Sequence, residues 1–296
     1  LWIKPMVGGA ARRLTNGRGD SFEQYPAWSR DGRLIAFVDW TDQGLGRLMT
    51  VGANGGTPRA VTNQPGHYAR PAFSPDGRTL VFERGQGGYL TSDRYSSDAG
   101  IYRVAVAGGT PARVSKEGAL PQFGAGDDRI FMAVTAQGKR QLVSTDLNGQ
   151  ARRTHATGEM VNEFDVSPDG RFVAFRQNYQ AFVMPLLPGT QDVSTDQKGG
   201  PLPVTRVSQD GADFIHWSRG GQALHWSLGP TLYSAETSAF FASAPAGENA
   251  PKFQPPRTGV ALGMEVPADK PTGTVALTGA RTPTCSGIPS CPGMCR

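Results

Sequence analysis

The stretch FSPDGRTLVFER at residues 73–84 recurs in altered form, as WSRDGRLIAFVD at 28–39 and VSPDGRFVAFRQ at 166–177. In each copy a Ser-x-Asp-Gly turn precedes a nearly continuous apolar run, which is typical of a strand buried on both faces. Aspartate can bond its own backbone and glycine accepts a positive φ, so the chain reverses direction at each copy. We therefore predict a structural role for the turn residues Asp31, Gly32, Asp76, Gly77, Asp169 and Gly170.

The turn belongs to a longer repeat with a loose period. Turns of this kind, some of them degraded, begin at residues 29, 74, 124, 167 and 218, which are 45, 50, 43 and 51 residues apart. A Gly-rich hairpin closes the repeat, as in LMTVGANGGTPRAVT at 48–62. Each unit thus holds about four short antiparallel strands. The pattern predicts an all-β fold, a β-propeller with WD40-like repeat length, because the rival β-sandwich does not require a recurring sequence.

The repeats also predict the domain organisation. LWIKPMVGGAARRLT at 1–15 matches only the closing half of a repeat, so the chain begins inside a blade. We predict an incomplete six-bladed propeller over residues 1–240. Residues 241–284 are expected to form a linker and the first strand of a following β-domain, and the Cys- and Pro-rich residues 285–296 a disordered tail.

The composition excludes several classes of function. The formal net charge of +5 is spread along 296 residues, whereas a nucleic-acid interface needs clustered basic residues with interleaved aromatics. No nucleic-acid partner is therefore expected. No stretch approaches roughly 18 consecutive apolar residues, so no membrane span is expected either. Cys285, Cys291 and Cys295 all lie in the tail, which leaves the propeller without a disulfide framework.

The sequence carries no catalytic motif. It contains no His-x-His pair of a zinc hydrolase and no Gly-x-Ser-x-Gly elbow, and we expect packing or edge positions for His216 and His225. No catalytic, cofactor-binding or metal-binding residue is therefore predicted in this chain. The best candidate contact surface is the insertion at 85–100, because functional variation concentrates in loops. Its candidate contact residues are Tyr89, Asp93, Arg94 and Tyr95.

Two motifs resemble known families. The PxFSPDG turn and the GG-x-P-R-x-(L/V)-(T/S) closure resemble the TolB-like repeats of TolB, tricorn-type proteases and prolyl-oligopeptidase relatives. FIHWSRGGQALHWSLGPTLYS at 214–234, followed by ADKPTGTVALTGAR at 268–281, is similar to bacterial amidohydrolase-superfamily proteins with an N-terminal propeller. This resemblance implies a non-catalytic module that packs on a C–N-bond hydrolase domain in cis and controls substrate access. A zinc-type divalent metal is then expected in that domain, outside this chain.

Two alternatives stay open. The first is a stand-alone TolB-like propeller that binds protein partners in the periplasm. The second is the gating propeller of a serine peptidase, which would require a Gly-x-Ser-x-Gly domain downstream and against which ALTGAR at 276–281 argues. The resemblance further implies a periplasmic or secreted bacterial protein whose signal peptide lies outside this chain. Whether the whole protein is an enzyme is left open by these residues.

Overall fold

The structure is a computed structural model, and it describes residues 1–6, 8–17, 19–85, 98–193, 203–241, 253–264 and 272–274. The chain divides into two compact units, residues 1–263 and 264–296. Only Met264 and residues 272–274 are described in the second unit. The strands and the fold below therefore belong to the first unit.

The described residues of the first unit form a two-stranded hairpin and five blades, each an antiparallel meander. The hairpin consists of β1 (Trp2–Ile3) and β2 (Arg12–Arg13). Blade 1 consists of β3 (Phe22–Trp28), β4 (Leu34–Thr41), β5 (Leu45–Gly52) and β6 (Arg59–Ala60). Blade 2 consists of β7 (Tyr68–Phe73), β8 (Thr79–Arg84), β9 (Gly100–Ala105) and β10 (Ala112–Ser115).

The remaining blades follow the same order. Blade 3 consists of β11 (Ala119–Phe123), β12 (Arg129–Ala136), β13 (Lys139–Asp146) and β14 (Arg153–Gly158). Blade 4 consists of β15 (Val161–Val166), β16 (Phe172–Gln177), β17 (Gln180–Pro185) and, after β18 (Gln191–Asp192), β19 (Thr205–Arg206). Blade 5 consists of β20 (Asp213–Trp217), β21 (Ala223–Leu228), β22 (Thr231–Glu236) and, after the helix α1 (Thr237–Phe240), β23 (Val260–Ala261).

The all-β propeller predicted from the repeat is confirmed, with two differences in detail. Strand β18 joins the outer edge of blade 3 in parallel with β14, so this blade has a fifth strand. The outermost strand of blade 5 is β23, which pairs with β22 and lies beyond the expected boundary at residue 240. A four-stranded blade needs this outer strand, and the chain reaches it only after α1, so the compact unit extends to Gly263.

The repeated turns are built by the same hydrogen bonds in three blades. Ser29 Oγ donates to Asp31 Oδ1 at 2.6 Å, and Asp31 Oδ1 accepts from the backbone N of Arg33 at 3.0 Å. Equivalent bonds form around Asp76 and Asp169. The bond from Ser29, followed by the bond from Arg33, lowers the pKa of Asp31. The glycine after each aspartate has a positive φ, as expected for this turn: Gly32 72°, Gly77 72° and Gly170 71°.

The core lies between the blades. On β8, Leu80 and Phe82 are buried against blade 1 and Val81 is buried against blade 3, because the two faces of blade 2 pack on different neighbours. The innermost strands, β3, β7, β11, β15 and β20, pack successively against one another. In a propeller such strands surround a central channel.

Candidate functional site: the channel mouth on the hairpin face

The meander topology gives the ring two distinct faces. The turns that join the innermost strand of each blade to the next strand lie on one face, which we call the turn face; it carries Asp31, Asp76 and Asp169. Successive connections in a meander lie at opposite ends of the strands. The hairpins between the second and third strands, and the entrances of the innermost strands, therefore lie on the opposite face, which we call the hairpin face.

Arg30 crosses the channel on the turn face. Its guanidinium donates to the backbone oxygens of Pro168, at 3.2 Å, and of Gly124, so it joins the turns of blades 1, 3 and 4. Burial lowers the pKa of Arg30, and the nearby charge of Asp127 acts in the opposite direction. The turn-face end of the channel is thus occupied by a half-buried cation.

Equivalent residues of the five blades surround the other end of the channel. They lie four positions before the turn serine, or before Gly124 in blade 3, and we call them the mouth residues: Tyr25, Arg70, Leu120, Glu163 and Phe214. Each innermost strand has a β-bulge at this level. Four of the five have a positive φ: Tyr25 53°, Arg70 48°, Leu120 54° and Phe214 52°. Bulges and strained φ values of this kind re-aim side chains and concentrate at functional sites.

Charged side chains link the mouth residues of neighbouring blades. Arg70 Nη1 lies 3.0 Å from Glu83 Oε2, and its guanidinium carbon lies 5.5 Å from the centroid of the Tyr25 ring. Glu83 Oε1 also accepts a hydrogen bond from the backbone N of Leu120 at 2.6 Å. Nearby, burial lowers the pKa of Arg140. This half of the mouth is therefore a connected, partly desolvated network.

The other half of the mouth contains an Arg between two acids. Arg176 Nε lies 3.2 Å from Glu163 Oε1, and the guanidinium also pairs with Asp213. Burial raises the pKa of Glu163, and the charge of Arg176 offsets part of this rise. Two positions further along β15, the carboxyl group of Asp165 is surrounded by neighbouring atoms, although the residue as a whole is only half-buried. This enclosure, together with the charge of Glu163, raises the pKa of Asp165 to about 8.

Large apolar side chains are exposed around the same mouth. Phe214 at the start of β20 is 84% exposed, Tyr179 in the β16–β17 hairpin 76%, and Met160 before β15 71%. All three have a positive φ, between 52° and 67°. Exposed apolar groups next to polar ones, held by a rigid scaffold, mark interaction sites. Phe214 has a sequence signal in its spacing of four before the turn, whereas Tyr179 and Met160 have no such signal.

The predicted contact residues Tyr89, Asp93, Arg94 and Tyr95 lie outside the described residues. The strands that flank them, β8 and β9, end and begin on the hairpin face, at Arg84 and Gly100. The histidines lie at packing or strand positions. His67 contacts the ring of Trp40 and His155 that of Phe131, at centroid distances of 5.0 and 5.1 Å.

His216 and His225 lie directly opposite each other on β20 and β21. In the described part of the chain, no group of three or more His, Cys, Asp or Glu side chains is arranged to hold a metal ion. No helix among the described residues is long and apolar enough to cross a membrane. The described residues at the mouth offer charge pairs and apolar contacts to a ligand.

A family model described as the TolB beta propeller domain matches residues 1–188. The chain belongs to the TolB β-propeller family. Its similarity to TolB of Francisella tularensis subsp. holarctica (strain OSU18), a Tol-Pal system protein, is 24% identity over 51% of this chain and 34% of that protein. The uncharacterized peptidase YuxL of Bacillus subtilis (strain 168) is 25% identical over 60% of this chain. The match covers 25% of YuxL, so the chain spans a quarter to a third of these relatives.

A solved structure agrees with this TolB-type fold. The crystal structure of TolB from Acinetobacter baumannii superposes with a TM-score of 0.59 at 18% identity, covering 80% of this chain and 56% of that one. At this identity the likeness concerns the fold alone, and function has to be argued from the site.

Proposed function

We propose that this TolB-type propeller is a non-catalytic module that binds a polypeptide partner with its hairpin face. The observation that carries the proposal is the exposure of Phe214, Tyr179 and Met160 around a charge-paired channel mouth. Aromatic residues, Met and Arg are enriched at protein interfaces, and a few residues, Trp, Tyr and Arg above all, supply most of the binding energy. The Arg70 and Arg176 networks would add a polar surround that fixes orientation.

The partner we propose first is a hydrolase domain of the same protein, with the propeller controlling access to it. The resemblance of residues 268–281 to amidohydrolase-superfamily proteins supports such a parent, in which the catalytic domain would hold a zinc-type metal. The similarity to YuxL, named a peptidase, also favours a hydrolase parent. A second candidate is a periplasmic TolB-like propeller that binds separate proteins, which the similarity to TolB in sequence and fold favours.

The gene sequence on both sides of this segment discriminates between these candidates. A downstream barrel with a His-x-His pair would support the amidohydrolase parent, and a Gly-x-Ser-x-Gly domain would support a peptidase. A stop codon directly after residue 296, with no catalytic domain encoded in the same frame upstream, would leave the separate binding propeller.

Hydrogen exchange then tests the binding face. We expect slower amide exchange at the start of β20 and in the β16–β17 hairpin when this chain is part of the full protein, or bound to its partner, than when it is isolated. The turn-face segment around Asp76 is the internal control and should be unchanged. Substitution of Phe214 and Tyr179 by Ser should weaken the contact, whereas Leu187→Ser, at an exposed residue in a turn-face connection, should not. Protection confined to the turn face would refute the proposal.

A further inference from the structure

The fold sorts charges that are spread along the sequence onto its two faces. The basic residue of each Asp-Gly-Arg copy directly precedes the second strand of its blade, so it lies at the turn face. These residues are Arg33, Arg78 and Arg171, with side chains that are 84, 87 and 70% exposed. The equivalent turn of blade 5 adds the exposed Arg219. Repetition of the turn therefore places a cation on this face in blades 1, 2, 4 and 5.

Further arginines lie near the outer edge of the same face. Connections between the third and fourth strands are on the turn face, because successive connections of a meander alternate between the two ends of the strands. After such connections, Arg59 begins β6 and Arg153 begins β14. Both are exposed, and neither forms an ion pair with a residue that the structure describes. The turn face therefore carries cations from its centre to its edge.

The acids of this face are bound within their own turns. The carboxylates that accept hydrogen bonds from the turn serine and from a backbone N are those of Asp31, Asp76 and Asp169. Arg33 and Arg78 lie 3.7 and 3.9 Å from the second oxygen of their aspartates, whereas Arg171 lies 2.7 Å from that of Asp169. Exposed pairs of this kind are weak, so these guanidinium groups can turn to an external anion. Arginines also outnumber the carboxylates among the described residues of this face.

The hairpin face has the opposite balance of charge. The basic residues there that pair with an acid are Arg70, Arg84, Lys139 and Arg176. The connections on this face also carry exposed acids that form no ion pair with a described residue, namely Asp20, Asp42 and Asp210. The propeller is therefore polar along its channel, and the turn face is the more positive end.

The distribution of these cations indicates the kind of partner. They extend over the whole face, whereas a typical protein partner covers only about 800 Å² and anchors on large apolar residues. The turn-face connections ANGGTP at 53–58, AGGTP at 107–111 and LNGQA at 147–151 are rich in small and polar residues instead. A nucleic-acid strand is held by a groove in which aromatic residues stack on its bases. A flat surface with many negative charges, in contrast, meets all of these arginines at once.

We propose that the turn face docks on the surface of an anionic lipid bilayer. The guanidinium groups pair with lipid phosphates, to which the planar Arg fork can donate two parallel hydrogen bonds. Basic residues near such a surface each add to the attraction, which is reversible and screened by salt. The acids of the hairpin face are repelled by the same surface, so the hairpin face is directed toward water. The proposal does not depend on what the hairpin face binds.

Co-sedimentation of the full chain with vesicles tests the proposal. We expect saturable binding to mixed phosphatidylglycerol–phosphatidylcholine vesicles at low salt, release from them at high salt, and weak binding to pure phosphatidylcholine vesicles. The triple variant Arg33→Gln, Arg78→Gln and Arg219→Gln should bind the anionic vesicles at least about tenfold more weakly. All three side chains are exposed, so the variant should keep the Tm of the parent chain, which circular dichroism melts measure.

A matched variant separates the turn face from the net charge. Arg47→Gln, Lys116→Gln and Lys139→Gln together remove the same number of charges from the opposite side, and this variant should bind within about twofold of the parent chain. If the turn-face triple variant does not fold, Arg59→Gln with Arg153→Gln replaces it and should still weaken binding. Equal losses in the turn-face and control variants, or equal binding to anionic and neutral vesicles, would overturn the proposal. Tighter binding to duplex DNA than to the anionic vesicles at the same salt would assign the face to nucleic acid and would also overturn it.

Discussion

Trp217 donates a hydrogen bond from its indole nitrogen to the backbone oxygen of Asp165 at 3.0 Å, which joins the innermost strands of blades 5 and 4. A second link of this kind is made by Gln122, whose amide bonds the backbone of Phe164 at 2.7 Å and of Val166 at 2.6 Å. These bonds between blades hold the channel wall together. The carboxyl group of Asp165, on the same strand, is buried next to Glu163.

The raised pKa of Asp165 predicts a pH-dependent stability. Between the ordinary Asp pKa, about 3.9, and its folded value of about 8, the unfolded chain releases this proton while the folded chain keeps it. Stability therefore falls as the pH rises through this window. Asp165→Asn removes this contribution. Between pH 5 and pH 8, the Tm of this variant should therefore fall less than the Tm of the parent chain. Thermal melts followed by circular dichroism measure these Tm values, and Asp20→Asn, at an exposed residue, is the control. An equal pH dependence of the Tm in the parent chain and both variants would contradict the prediction.

Arg30 should be a stability determinant of the turn face. Arg30→Ala leaves the oxygens of Gly124 and Pro168 without their donor, so we expect a loss of about 1–3 kcal/mol in the free energy of unfolding. Arg33→Ala, three residues away and exposed, should change it by less than about 0.5 kcal/mol. Urea denaturation compares the two, and similar losses would show that Arg30 does not link the blades.

The turn glycine at position 77 should tolerate Asn better than Ala. Its φ is 72°, and a Cβ placed there meets no atom within 4 Å, so backbone strain alone opposes a side chain. We expect Gly77→Ala to destabilise by about 1–2 kcal/mol, and Gly77→Asn by clearly less because Asn visits the left-handed region more readily. Chemical denaturation of both variants measures this; an Ala variant as stable as the parent would refute it.

The repeat made the blades predictable, whereas the last blade was predicted too short. The Ser-x-Asp-Gly turns and Gly-rich hairpins act locally, so their spacing located the strands from β3 to β22 apart from the extra strand β18. The outermost strand β23 has only two residues and follows α1, so no local pattern identified it. Its position depends on pairing with β22, which is a tertiary contact.

The channel mouth was not predictable for a related reason. Tyr25, Arg70 and Phe214 lie far apart in sequence and differ in chemistry, and only the packing of successive blades around the channel brings them to one face. The spacing of four before the turn gave their equivalence, but it did not give the bulge that turns Phe214 outward. Likewise, the pairing of Arg176 with Glu163 and Asp213 joins blades 4 and 5, so no sequence window contains it.

Arg176 supports the mouth electrostatically, and its loss should be felt more at neutral than at acidic pH. Arg176→Met leaves Glu163 and Asp213 close together without their cation, and Glu163 already has a raised pKa because of burial. We expect a loss of about 1–3 kcal/mol at pH 7 and a smaller loss at pH 5, where Glu163 binds a proton more readily. The double variant with Glu163→Gln should regain part of the stability at pH 7, because it removes one of the two unpaired charges. Denaturation at both pH values measures these differences. A loss independent of pH, with no recovery in the double variant, would mean that Arg176 acts through packing of its aliphatic chain instead.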